Sequence, residues 1–289
     1  MAKKILFGNY KGGVGKTTSS YNIAKQLVMN HQKKVLLVDL DPQSSLSSLC
    51  LENINSNITN LLDNETLNFV YDIYWQSNCL NMLIEIDSNN IVQNAFKNAY
   101  GSLDFIPNSL FYKNGGLDSL CMKQDNNIES LLILRNFVEK NGLNGKYDYI
   151  FFDTPPSNNI ITQGAFLYSD YFIIPTIMDY LSVRGVQHYI SVIKTIYEEY
   201  CKKSENANLM SLVFGKEPIF LGVFESLRKP QSKNPEEDYR DQLKNTYNIP
   251  LFDTIIKNLN AVSQNTGVSE YPSLTEEFLK RISEVDKEV

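Results

Sequence analysis

The sequence predicts an α/β fold: a doubly wound, mostly parallel sheet with helices on both faces. Two observations carry that prediction. Residues 4–8, 35–38, 149–152, 171–175 and 219–224 are short apolar runs without alternation, the pattern of strands buried on both faces of a parallel sheet. Between them lie segments with apolar residues at helical spacing. Strands alternating with helices build a doubly wound sheet, and ligands of such sheets sit beyond the C-terminal strand ends.

Taken in order, residues 4–8 form the first strand. Residues 11–18 follow as Lys-Gly-Gly-Val-Gly-Lys-Thr-Thr. Residues 17–30 then place Ile23, Ala24, Leu27 and Val28 on one helical face. Strand, glycine-rich loop and helix aim a helix N-terminus at an anion. Residues 35–38 end at Asp39, Leu40 and Asp41. Residues 51–127 are polar and asparagine-rich, with scattered Trp75 and Leu80 and a strand-like stretch at 103–106 before Pro107. They read as an irregular insertion of loops and short helices on the same domain. Leu131, Leu134 or Arg135, and Val138 form part of another helical stripe, closing near Gly142. Residues 149–152 end at Asp153. Val183, Val186, Ile190, Ile193 and Tyr197 form a further helical stripe. At 275–289, Phe278, Leu279, Ile282 and Val285 share one helical face, opposite Glu276, Glu277, Glu284, Asp286 and Glu288. That helix is expected to pack on its own domain, and residues 1–289 read as one domain.

Bulk properties narrow the function. With 289 residues, 43% hydrophobic and 21% charged, the chain reads as an ordinary globular protein. No apolar run reaches the roughly 18 residues of a membrane span. The first strand starts almost at Met1, leaving no room for a signal peptide, so a cytoplasmic location is expected. Cys50, Cys79, Cys121 and Cys201 are far apart and form no C-x-x-C pair, which argues against zinc and redox chemistry. His31 and His188 are isolated. The net charge of −6 repels a DNA backbone as a whole, so any DNA binding needs a local basic patch.

The chemistry concentrates at one sheet edge. Backbone N–H groups of Gly12, Gly13, Val14 and Gly15 suit phosphate oxygens. Lys16 is placed to reach the β- and γ-phosphates, and the Thr17 hydroxyl, followed by Thr18, to ligate Mg²⁺. Tyr10 stands where the general pattern has its first glycine, and a second lysine, Lys11, comes too early to do the job of Lys16. Asp153, after four apolar residues, matches the strand-end carboxylate that organises Mg²⁺, with Asp39 placed to help. Asp41 can face the γ-phosphate and orient an attacking water. The plain alternative for an aspartate at a strand end is a helix cap.

These residues resemble the three nucleotide motifs of the ParA/Soj/MinD ATPases, a P-loop NTPase family. The likeness runs through residues 11–18, 35–44 and 147–157, and extends more weakly to 107–109, 169–185 and 222–229. It is nearest to the short ParA branch, which lacks an N-terminal DNA-binding extension. The resemblance implies an Mg²⁺-dependent ATPase whose ATP-bound form is a homodimeric sandwich, with Lys11 reaching the partner's nucleotide and serving catalysis beside Lys16 and Asp41. It implies binding to non-specific DNA, hydrolysis stimulated by a ParB-like centromere-binding protein, and a role in plasmid or chromosome partition on the nucleoid. Arg228, Lys229, Lys233 and Lys257 are the basic residues it offers for DNA. Three alternatives stay open. A MinD-like membrane-site ATPase needs a basic amphipathic tail, whereas the tail here is acidic. A nitrogenase-reductase-like electron carrier needs paired cluster cysteines. A nucleotide-gated scaffold or repressor would hydrolyse little ATP.

Overall fold

The computed structural model describes residues 1–80, 82, 84–124, 128–228, 235–257 and 269–288. Its strands are β1 (Lys3–Phe7), β2 (Lys34–Asp39), β3 (Gln93–Lys97), β4 (Ser102–Ile106), β5 (Tyr149–Asp153), β6 (Tyr171–Thr176), β7 (Ile219–Arg228) and β8 (Leu251–Lys257). They form a sheet in the order β3-β4-β2-β5-β1-β6-β7-β8. Strand β3 runs antiparallel to β4, and the other pairings are parallel. The helices are α1 (Lys16–His31), α2 (Ser45–Asn53), α3 (Leu67–Cys79), α4 (Leu117–Gln124), α5 (Ile133–Lys140), α6 (Leu143–Lys146), α7 (Ile160–Tyr168), α8 (Tyr180–Glu198), α9 (Ala207–Phe214), α10 (Pro235–Asp241) and α11 (Tyr271–Glu288).

Each of the five apolar runs is a strand, and 103–106 lies within β4. Successive side chains of a strand point to opposite faces, and both faces are covered. On one side Ile5, Phe7, Leu37 and Phe151 pack with Ile23 and Leu27 of α1 and with Phe278 and Ile282 of α11. On the other, Leu6, Leu36, Phe152 and Ile174 pack with Val70 of α3, Phe137 of α5, Phe166 of α7 and Val186 of α8.

Two edge strands were not expected. Strand β8 buries Phe252 and Ile256 and leaves Asp253 and Lys257 exposed, so its sequence lacks the continuous apolar run of a central strand. Strand β3 buries only Ala95. Residues 51–127 are also more regular than loops and short helices. They hold the 13-residue helix α3 together with β3 and β4, which complete one side of the sheet.

The C-terminal helix packs as expected. Phe278 is fully buried, its ring 5.9 Å from Phe151 and 6.2 Å from Tyr149. Burying one such side chain is worth about 1.5–3 kcal/mol, so the apolar face of α11 belongs to the core.

Candidate nucleotide site

Strands β2, β5 and β1 are neighbours, and their register sets Asp39 beside Asp153 and Asp153 beside Phe7. Two carboxylates and the loop after β1 therefore meet at one strand-end crevice, where the chain reverses its direction of sheet growth. The loop turns through Gly13 at φ 71° and Gly15 at φ 78°, left-handed values that glycine adopts without steric cost. Gly15 also caps α1, so the positive helix end faces the crevice. Gly12, Gly13, Gly15, Lys16, Thr17 and Thr18 line a cleft of about 750 Å³ together with Asp41, Gln43, Pro156 and Leu227. Val14 points the other way and is fully buried. The Ser226 hydroxyl donates to its carbonyl at 2.6 Å.

The lysine and the hydroxyl of the loop are already oriented. Lys16 is only 6% exposed. Its ammonium donates to the carbonyls of Asn9 and Lys11, each at 3.2 Å. Burial lowers its pKa, and the charges of Asp153 and Asp41 oppose that shift. The Thr17 hydroxyl donates to Asp153 Oδ2 at 2.6 Å. Asp153 Oδ1 is buried and has no hydrogen-bond partner. Burial, and after it the charge of Asp39, raise the Asp153 pKa well above the ordinary carboxylate value.

Asp39 behaves differently from a free metal ligand. Its Oδ2 accepts the Ser47 amide at 2.8 Å and the Ser47 hydroxyl at 2.6 Å, and its Oδ1 accepts the Asp41 amide at 3.1 Å. Burial pushes its pKa up to about 7 against these hydrogen bonds. The helix-cap alternative thus describes Asp39, which holds the first turn of α2. Asp41 lines the cleft and accepts the Gln43 amide at 3.0 Å.

Several residues without a role in the sequence reading brace the site. Asn108 is fully buried; its amide group donates to the carbonyls of Asp39 at 3.1 Å and Asp41 at 2.7 Å, and its side-chain oxygen accepts from Ser44. Asn9 donates to the Pro175 carbonyl at 2.9 Å and accepts the Lys11 amide at 2.9 Å. Tyr10, in place of the usual glycine, sets its ring edge-on to Tyr189 of α8 at 4.8 Å. Lys11 turns away from the cleft, and its ammonium donates to Asp179 at 2.6 Å.

Of the residues expected at DNA, Arg228 and Lys257 lie among the described residues. Arg228 is held by Glu225 through two hydrogen bonds, at 2.6 and 2.7 Å. Glu225 is 1% exposed and also takes Arg240 at 3.1 Å. Arg228 therefore serves a buried ion cluster and is no free basic surface group. Lys257 is exposed, with Glu270 4.0 Å away. Lys229 and Lys233 lie outside the described residues.

Comparison with known proteins agrees with this geometry. A family model for the AAA domain matches residues 2–209. The virulence plasmid ParA family protein pGP5-D of Chlamydia psittaci is 31% identical over 73% of this chain and 68% of its own length. The sporulation initiation inhibitor protein Soj of Bacillus subtilis is 28% identical over 73% of this chain and 70% of its own. A plasmid partition protein of Borrelia burgdorferi, bound to AMPPNP, superposes with a TM-score of 0.65 at 23% identity, covering 97% of this chain and 99% of that one. With the phosphate loop, the strand-end aspartates and the doubly wound sheet in place, the chain belongs to the AAA-domain family as a P-loop ATPase of the ParA/Soj type.

Proposed function

We propose that the chain is a DNA-partition ATPase. ATP binding closes two copies into a sandwich, the closed dimer binds DNA without sequence preference, and hydrolysis stimulated by a ParB-like partner resets it on the nucleoid. The observation that carries this reading is Lys11, a second lysine at the head of the loop whose ammonium lies outside its own phosphate cleft. A cation so placed has a use when two sites face each other, as an arginine finger supplied in trans does. Residues 1–289 act as one unit in this scheme, with 51–127 built into it.

The donor set fits ATP and Mg²⁺. The unpartnered oxygen of Asp153 and the neighbouring Thr17 hydroxyl offer two hard oxygen donors. Among the described residues no group of three or more His, Cys, Asp or Glu side chains could hold a metal alone. Phosphate oxygens and water would complete the six-oxygen shell that Mg²⁺ prefers. Bound there, the ion would neutralise charge on the β- and γ-phosphates. Lys16 exchanges two carbonyl partners for phosphate oxygens. Loop amides cradle the β-phosphate, Asp41 orients the attacking water, and Asp39 with Asn108 keeps the Asp41 loop in place.

A membrane role has less support. The apolar stripe of α11 is buried on the sheet, and Glu276, Glu284 and Asp286 would face anionic lipid. Among the described residues no helix is long and apolar enough to cross a membrane. Liposome flotation with ATP should leave the protein in the pellet.

Two measurements test the main reading. DNA binding should appear with ATP, be weak with ADP or without nucleotide, and fall steeply across a salt series, since each neutralised phosphate releases counterions. Equal binding in all three nucleotide states would remove the ATP gate. Lys11→Ala should bind ATP yet stay monomeric in light scattering. An ATP-dependent Lys11→Ala dimer would refute the cross-interface role.

A further inference from the structure

The sheet holds a second concavity at the opposite strand ends from the phosphate loop. Strand β4 is flanked there by β2 and β3. Ser102 pairs with Lys34 at the start of β2 and with Lys97 at the end of β3. Residues aligned across a sheet share a face, so both lysines stand on the side of Ser102. Asp104, two residues along, is on the same face and pairs with Asn94. Lys146, in the last turn of α6, brings a third ammonium to the rim. With Tyr100 and Tyr147, these groups line a cavity of about 560 Å³.

Its floor is fixed and its rim is free. The Tyr147 hydroxyl donates to Asp104 Oδ2 at 2.6 Å, and the Asn94 amide group donates to Oδ1 at 2.5 Å. Asp104 is buried. The turn between β3 and β4 is fastened by Asn98, whose side-chain oxygen accepts the Tyr100 and Gly101 amides at 2.9 and 2.7 Å. By contrast, Lys34, Lys97 and Lys146 are exposed. Among the described residues no ion pair engages any of the three. Lys146 lies 5.2 Å over the Tyr147 ring. Asp148, next to Tyr147 in the chain, accepts the Lys34 backbone amide at 2.8 Å. Three cations thus surround one lining carboxylate, on a chain whose net charge is −6. Cations gathered in this way repel one another, and an anion between them offsets the repulsion.

We propose that this cavity is a second binding site, for a small molecule carrying two or more phosphates. Lysine binds phosphate as a point charge, whereas the planar fork of arginine is the match for a carboxylate; the described lining has three lysines and no arginine. The volume falls within the roughly 300–1,000 Å³ of small-molecule sites. A duplex, with a major groove about 12 Å wide, does not enter such a hollow. Tyr100, 70% exposed at the rim, offers a flat face to an aromatic part of the ligand. Strand β2 runs from Lys34 at this cavity to Asp39 at the nucleotide crevice, so the two sites lie at opposite ends of one strand and can fill together.

Pyrophosphate is the probe. The readout is the rate at which acetic anhydride modifies each lysine of the nucleotide-free protein, followed by mass spectrometry, with the exposed Lys244 and Lys280 as references. A ligand at ten times its dissociation constant leaves about a tenth of its sites empty, so the rates at Lys34, Lys97 and Lys146 should fall together by about 10-fold. The reference rates should stay as they are in sodium chloride of equal ionic strength. Lys97→Gln, on an edge strand, should raise the pyrophosphate concentration for half-protection of Lys34 and Lys146 by about 10-fold, the weaker end of what a hydrogen bond to a charged group supplies. Thermal unfolding of this variant is the folding control, and Lys146→Gln, read at Lys34 and Lys97, replaces it if it unfolds.

Unchanged rates at the three lysines overturn the site. Equal slowing of Lys244 and Lys280 also overturns it, since general screening then accounts for the effect. Protection by duplex DNA without protection by pyrophosphate overturns the small-molecule reading in favour of a nucleic-acid surface. Protection of the three lysines with Lys16 left reactive supports this site while counting against the phosphate loop, so the two assignments fail separately.

Discussion

Lys16→Ala is expected to abolish ATP binding, with affinity falling by about 100-fold or more. The side chain is almost wholly buried at the mouth of α1, and only two carbonyl oxygens hold its ammonium. Those contacts are readily exchanged for phosphate, which carries full charge. Removing the lysine leaves Asp153 and Asp41 without their nearest buried cation, beside a ligand that is itself highly negative. The loss should be read by titrating a fluorescent ATP analogue in the presence of Mg²⁺, with thermal unfolding of the nucleotide-free protein as the folding control. Retained binding would count against the loop assignment.

Asp41→Ala should separate binding from turnover. Asp41 sits on the wall of the cleft, two residues beyond a carboxylate that is fully engaged in structure. In the proposed function it is the aspartate that orients the attacking water. The variant should still form the ATP dimer, because phosphate grip and Lys11 are untouched. Its hydrolysis rate should fall by about 100-fold or more, the size of a lost proton-transfer or water-orienting group. Phosphate release and light scattering on the same sample give both numbers. Normal hydrolysis would remove Asp41 from its role, and loss of the dimer would make it a structural residue like Asp39.

The phosphate loop was legible because its chemistry is contiguous: eight consecutive residues between a strand and a helix leave little freedom in where the amides point. Asp39, Asp41 and Asp153 were legible as a group because buried parallel strands announce their ends. Their division of labour was not. Whether Asp39 holds a metal or a helix depends on Ser47 and Asn108, and the Asn108–Ser44 contact spans 64 positions. Ser226 braces Val14 from 212 positions away. Asp179 meets Lys11 from 168 positions away. No local pattern encodes such contacts; the fold creates them. The edge strands β3 and β8 were hidden for a related reason, since a strand buried on one side only has no need of a continuous apolar run. A sequence shows that Arg228 is charged but not that Glu225 sits beside it.

The cluster of Glu225 with Arg228 and Arg240 carries a warning for mutational mapping. Removing Arg228 would leave the buried Glu225 carboxylate with Arg240 as its remaining ion partner, at 3.1 Å. Glu225 is 1% exposed and stands directly before Ser226, the brace of the phosphate loop. An alanine at Arg228 is therefore expected to disturb the strand end that braces the phosphate loop, so a change in nucleotide affinity can accompany any change in DNA binding. Charge-scanning experiments on this edge need an ATP-affinity control before any loss is assigned to DNA.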